Sequence, residues 1–385
     1  MDVLQNILIY AGSFILVLSV VVFVHEFGHF QVARWRGVAI DTFSIGFGKT
    51  LLGWRDKQDV QWKIGALPLG GYVKFADDAD AMSTAPREKI HDPVVLAEAR
   101  AKGLFHAQPL STRSLVVAAG PVTNFIFAVF AFALLAFIVG RDAATIDQVT
   151  PGSPAAQAGL LAGDVITAID GERIEEFRDL QRIVSSSPGQ TLDIVARRGD
   201  REVALQLTPQ ASEANPELGA IGVGHTSTFE NRERIGPVTA IATGASNTWQ
   251  IVAQTGVYIG GIFTGRESGN QIAGPLGIIN VSGQVAASAL DAPEATLIQK
   301  LQMLALSLLN LAAVLSVAVG IVNLLPIPIL DGGHLLFYAI EAVRGGKPLP
   351  PAAQEWAYRA GFAVMASLFL FATWNDITRL FPGAQ

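Results

Sequence analysis

The sequence predicts an α-helical integral membrane protein with about four transmembrane helices, a small inserted α+β domain and a membrane-associated β-hairpin. Three observations lead there. Half of the 385 residues are hydrophobic and only 16% are charged, too apolar for an ordinary soluble enzyme. The apolar residues are gathered: no Asp, Glu, Lys or Arg occurs between Asp2 and Glu26, between Arg113 and Arg141, or from Leu301 to Leu330. Each run is long enough for a helix to cross about 30 Å of hydrocarbon, which takes about 20 residues. Between the second and third runs, short β-like segments alternate with turns, as in a small α+β domain.

Residues 1–30 form the first transmembrane helix. It has no basic leader and no small-residue cleavage site, so it reads as a retained helix and not as a signal peptide. Residues 31–112 follow as a cytoplasmic region, because Gln31 to Arg113 holds twelve Lys or Arg residues and basic loops stay inside. Within it, "WKIGALPLGGYVKF" (62–75) reads as two short strands around a turn at Pro68, Gly70 and Gly71, a low-charge hairpin beside the first helix. The stretch 76–105 is polar without periodicity and reads as a loop.

The second transmembrane helix is expected over 113–141. Residues 142–224 form the inserted domain, with strands in "DVITAID", "TLDIVARRG" and "EVALQLTP" and a helix in "IEEFRDLQRIVSS". In 225–300, Thr, Ala, Ile and Val at helical spacing predict an amphipathic helix over Pro237–Phe263. A transmembrane segment at 301–343 carries "NLLPIPILDGGH". The basic connection 344–358 belongs on the cytoplasmic side, and 359–385 holds the last helix, whose Arg359 and Asp376 can reach the interfaces. Four crossings then put both termini and 142–300 outside. This is the topology of a multi-pass protein of the bacterial inner membrane, with the inserted domain in the periplasm.

A net charge of −6 without a basic stripe excludes nucleic acid as a partner; membrane lipid is the expected surroundings. With no cysteine, disulfides and thiolate chemistry are excluded, and any metal must be held by nitrogen and oxygen.

The chemistry begins in "VVFVHEFGHF" (21–30). Ionisable groups at the end of an apolar helix are costly and mark function. On a helix, His25 and His29 project from one face and can grip one Zn²⁺, while Glu26 can take a proton from a water that the metal holds. A catalytic zinc usually has three protein ligands. Asp331 offers a third, since it ends an uncharged run after two helix-breaking prolines, and broken backbone at membrane depth lines cavities. His334 competes with it on the residues alone.

These motifs resemble the site-2 proteases, intramembrane zinc metalloproteases, and within them the bacterial branch typified by the regulator of sigma-E protease. "HEFGH" (25–29) and "NLLPIPILDGG" (323–333) match its two signature motifs, and "AAGPVTNF" (118–125), "FSIGFG" (43–48) and "LPLGGYVKF" (67–75) match further stretches. The resemblance implies zinc as cofactor, with His25, His29 and Asp331 as ligands and Glu26 as general base. It implies substrate-binding roles for Asn323 and for the β-loop residues Gly70, Gly71 and Tyr72. "VTPGSPAAQAGLLAGDVITAIDG" (149–171) looks like a PDZ domain, and a single one where some members carry two. The implied activity is cleavage of transmembrane segments of single-pass membrane proteins, such as pre-cleaved anti-sigma factors or remnant signal peptides.

Two other classes compete with this reading. A catalytically idle PDZ membrane adaptor would lack some catalytic residue, yet all are present. A metal or proton transporter using intramembrane His and Asp groups would be expected to show an internal repeat, and the sequence has none.

Overall fold

The computed structural model describes residues 3–76, 90, 92–212, 215–225, 232–293 and 295–380. His91 and most of the polar stretch after residue 76 lie outside them. Among the described residues, four helices are long and apolar enough to cross a membrane: Gln5–Trp35, Leu110–Val139, Leu297–Leu324 and Pro351–Arg379. The chain divides into two compact units, residues 133–243 and the rest.

In the larger unit, α1 (Val3–Trp35) is stopped by Gly37, whose φ of 71° is the left-handed conformation glycine supplies at helix ends. The Val38 N–H then closes onto the Ala33 carbonyl at 2.9 Å. Two long strands follow, β1 (Ile40–Arg55) and β2 (Gln61–Phe75). Their pairing corrects the expectation for 62–75. The halves of β2 do not pair with each other: both flank β1, with Phe43 opposite Val73 on one side and opposite Trp62 on the other. The outer half of β1 then pairs with the first half of β2, as Leu52 does with Ile64. Bends at Gly46 and Gly48, with φ of 84° and 82°, make this folding possible. The second half of β2, from Gly71 onward, is left at one edge of the sheet.

Phe43 is fully buried in this sheet and packs on Phe30 of α1, ring centroids 5.2 Å apart, and on Trp62 at 4.5 Å. Burying such a side chain stabilises by roughly 1.5–3 kcal/mol, so the sheet is fastened to the metal-motif end of α1. The loop expected over 76–105 contains a helix instead, α2 (Pro93–Ala101). Its start is local chemistry: Pro93 at the first position, and Asp92 accepting from Val94 N–H at 2.8 Å. Nine residues are too few for a clear apolar period, which hid it.

α3 (Leu110–Val139) is the second long helix. In the smaller unit, β3 (Arg141–Asp142) pairs with the late strand Arg232–Glu233, and β4 (Gln148–Val149) pairs with Val223–Gly224. A short α4 (Pro154–Ala158) precedes β5 (Val165–Ile169) and β6 (Glu172–Arg173). After α5 (Phe177–Ser185) come β7 (Leu192–Arg198) and β8 (Arg201–Leu207), completing an antiparallel sheet in the order β6-β5-β7-β8. Its core is Ile146, Ile166, Ile169, Leu180 and Ile194, all at 1% exposure or less. The alternation of "TLDIVARRG" produced this: Leu192, Ile194 and Ala196 point inward and Asp193 outward.

The helix expected from Pro237 forms as α6 (Pro237–Phe263). α7 (Pro275–Leu290) follows and packs on α1, its Gly283 set against Tyr10. α8 (Leu297–Leu324) opens with a capping box between Thr296 and Gln299. It ends where Pro326 forces the preceding Leu325 into an extended conformation (φ −62°, ψ 142°). α9 (Asp331–Val343) restarts at the acidic residue. Gly332 and Gly333 lie against the carbonyls of Leu325 and Ile327, leaving no room for a Cβ, so α9 is folded tightly back on the proline turn. In α10 (Pro351–Leu380), Asp376 accepts the N–H groups of Gly274 and Gly277 at 3.0 and 2.9 Å, capping α7.

Candidate metal centre

His25 and His29 stand one turn apart on α1, and the broken α8–α9 junction delivers Asp331 to them. Asp331 Oδ2 lies 3.2 Å from His25 Nε2 and 3.5 Å from His29 Nε2, and the two Nε2 atoms are 3.2 Å apart. Around a tetrahedral zinc with bonds of about 2.0–2.1 Å, neighbouring ligand atoms are about 3.3 Å apart. The observed triangle has those edges. Among the described residues, this is the one group of three or more His, Asp or Glu side chains able to share a metal. Asp331 Oδ2 is buried without a hydrogen-bond partner, which is costly unless something positive sits beside it. The two-nitrogen, one-oxygen donor set therefore fits zinc.

The surroundings fix the rings. His29 Nδ1 lies 2.8 Å from the Val116 carbonyl; a carbonyl only accepts, so the proton sits on Nδ1 and Nε2 is left bare for a metal. His25 Nδ1 lies 3.1 Å from the side-chain amide of Asn124, which is fully buried. Between these two partners, Gly120 of α3 lies under both rings: a Cβ there would be 2.8 Å from His25 Cε1 and closer still to His29. Val116, Gly120 and Asn124 recur every fourth residue, so one stripe of α3 faces the two histidines of α1. α1 reciprocates with Gly28, whose missing side chain admits Thr123 and the Ala119 carbonyl. Helices packed in membranes use small residues in this way.

Glu26 points from the same turn toward the sheet. A Cβ on Gly71 would be 3.1 Å from Glu26 Cγ. The edge half of β2 is thus laid against the candidate base.

A cavity of about 410 Å³ opens on the centre. Its walls hold His25, Glu26, His29 and Asp331, together with Asn323, Gly71 and Tyr72. Gly70 is not among the lining residues; it packs on the Phe47 ring, which also stacks on Tyr72 at 5.9 Å. His334 lines the cavity one turn along α9 from Asp331, outside the cluster of convergent donors, with its ring 6.0 Å from Tyr358. Farther along the wall, Arg113 pairs with Glu341 at 2.8 Å and lies over the Tyr338 ring at 4.8 Å, tying α3 to α9.

In the sequence, "AAGPVTNF" is a stretch shared with the family whose residues carry no assigned role. The signal was present: Gly120 and Asn124 are a small and a polar residue at helical spacing in an otherwise uncharged span, a pattern that marks buried helix contacts.

Comparison with known proteins gives the family. The family described as Peptidase family M50 matches residues 13–368. A Rhizobium meliloti (strain 1021) protein described as a zinc metalloprotease is 41% identical, over 98% of this chain and 99% of its own. Regulator of sigma-E protease RseP of Escherichia coli (strain K12) is 29% identical, over 96% of this chain and 98% of its own. Among solved structures, the PDZ domain of the SdrC-like protein from Listeria monocytogenes is similar to 20% of this chain and 82% of its own, at 26% identity and a TM-score of 0.19. The chain belongs to peptidase family M50 and is a zinc metalloprotease.

Proposed function

We propose that this metalloprotease cleaves within the transmembrane segments of single-pass membrane proteins, with His25, His29 and Asp331 holding zinc and Glu26 as general base. The observation that carries the proposal is the junction of the ligand triangle with the free edge of β2 at Glu26. A transmembrane helix hides its peptide bonds, so a substrate must be unwound to be cut. An edge strand stabilises an extended segment by main-chain hydrogen bonding. Here the edge runs past Gly71 and Tyr72 into the cavity, and Asn323 faces the same space from the end of α8.

Zinc in such a site polarises a carbonyl and makes water a nucleophile near neutral pH. Glu26 takes the proton from the attacking water and later gives it to the leaving amine. Gly71 lies against Glu26, and Val116 and Asn124 hold the two imidazoles.

The basic content of 31–113 supports placing the sheet and the metal centre on the cytoplasmic side of the inner membrane. Residues 142–224 then lie in the periplasm, where as a PDZ-like domain they would select clients whose external domains have been removed. The name of the Escherichia coli relative supports anti-sigma factors as one client type, and remnant signal peptides are another. Membrane proteomes of cells carrying the wild-type enzyme or Glu26→Gln test the proposal. Single-pass fragments accumulating in the variant are expected; identical membrane proteomes would overturn it.

A further inference from the structure

We propose that Asn124 is a positioning residue for the metal centre, and that its side-chain amide selects which nitrogen of His25 carries the proton. The inference rests on the assignment of His25 as a ligand.

The two histidines are held by different chemistry. His29 has a backbone carbonyl behind it, which can only accept and therefore leaves one tautomer. His25 has the Asn124 amide at 3.1 Å, and an amide can turn either end toward the ring. With Nδ2 donating, His25 Nδ1 must be bare. The proton then sits on Nε2, aimed at His29 Nε2 and Asp331 Oδ2, and no metal can enter. With Oδ1 accepting, the proton sits on Nδ1 and Nε2 is bare. Oxygen and nitrogen of an amide are assigned from their partners. As placed, Asn124 Oδ1 is buried without a partner, so the turned amide gives that oxygen the imidazole N–H as its donor.

Asn124 is well held for this task. It is 0% exposed. Its own carbonyl accepts Ser316 Oγ of α8 at 3.0 Å, so α3 is pinned between the helix that bears the histidines and the helix that leads to Asp331. A partner that fixes a ligand imidazole typically changes metal affinity by about 10–100-fold.

The test uses the purified full-length protein, stripped of metal and titrated with Zn²⁺ against a competing chelator. The visible spectrum of the Co²⁺-loaded protein is a second readout. Asn124→Ala is expected to weaken Zn²⁺ binding about 10–100-fold and to shift the Co²⁺ bands, while leaving the melting temperature near that of the wild type. Asn124→Asp keeps an acceptor oxygen and is expected to restore both affinity and spectrum. Unchanged Zn²⁺ affinity and Co²⁺ spectrum in Asn124→Ala would overturn the inference. Should Asn124→Ala not fold, Asn124→Asp decides alone: Zn²⁺ binding weakened about tenfold or more in it means that an acceptor at this position does not matter. His25→Ala separates the two levels. Full Zn²⁺ affinity in that variant removes the ligand assignment itself; lost affinity there, with Asn124→Ala unaffected, removes only the role of Asn124.

Discussion

Asp331 Oδ2 lies 3.2 Å from His25 Nε2, joining the first turn of α9 to the third quarter of α1 from opposite ends of the chain. The contact exists because α8 is broken by Pro326 and α9 restarts at Asp331. A carboxylate buried there without a partner would cost several kcal/mol. A cation between the three donors removes that cost, and the consequences can be measured residue by residue.

Glu26 is adjacent to the ligands and is not one of the three convergent donors. Glu26→Gln should keep stoichiometric zinc and lose about 10²–10⁴-fold in cleavage rate, the usual contribution of a positioned acid–base group. Metal analysis beside a cleavage assay checks it, and near-normal cleavage with normal zinc would sink the assignment.

Asp331 and His334 share one cavity wall, but only Asp331 reaches the two imidazoles. Asp331→Ala should reduce zinc occupancy and abolish cleavage, whereas His334→Ala should do neither severely. Zinc that follows His334 and survives the loss of Asp331 would reverse the two roles.

Gly120 has no space for a side chain beneath the rings. Gly120→Ala, an otherwise favourable change within a helix, should displace both imidazoles and lower zinc affinity and cleavage together. Zinc titration of the variant gives the answer; wild-type affinity would show that α3 can retreat without disturbing the ligands.

In the smaller unit, Asp164 is fully buried and bridged by Arg198 at 2.8 and 2.7 Å, and the Leu161 N–H donates to it at 2.9 Å. The Arg198 hydrogen bonds hold its carboxyl below the usual carboxylate range, against the opposing effect of burial. A depressed pKa stabilises the folded state above the unfolded value of about 3.9. That stability is lost as pH falls below about 4 and through the folded value. Hydrogen exchange of the β5 and β7 amides, corrected for intrinsic rates, should therefore rise below about pH 4 in the wild type. Asp164→Asn should exchange faster at neutral pH and show less of this acid dependence.

The chain has no cysteine, so single cysteines report topology on a clean background. Cysteine at Lys57, in the turn between β1 and β2, should react only with reagents that reach the cytoplasm. Cysteine at Ser186, after α5, should react with reagents confined to the periplasm. Labelling of both from one side would break the four-crossing arrangement. Ser83, in the same basic region as Lys57, lies outside the described residues.

The sequence by itself determined the four long apolar helices, the His-Glu-x-x-His turn and the break before Asp331. These depend on composition and on interactions a few residues apart. Hydrocarbon thickness sets the length of an uncharged run, a 3.6-residue turn puts His25 beside His29, and proline ends a helix wherever it falls. Residues 62–75 were legible as β-structure, but their pairing was not, because bends at Gly46 and Gly48 let β1 take both halves of β2 as neighbours. On the residues alone Asp331 and His334 competed and only the resemblance favoured Asp331; the tertiary structure brings Asp331, and not His334, to the two imidazoles. Both occupy the first turn of α9, and the choice follows from how Gly332 and Gly333 seat that turn against the proline break. It also decided that α3, which carries no charge beyond Arg113, supplies the Val116 carbonyl, the space at Gly120 and the Asn124 amide. Hydrogen bonds between helices distant in sequence leave no local period, so they become visible only when the helices are packed.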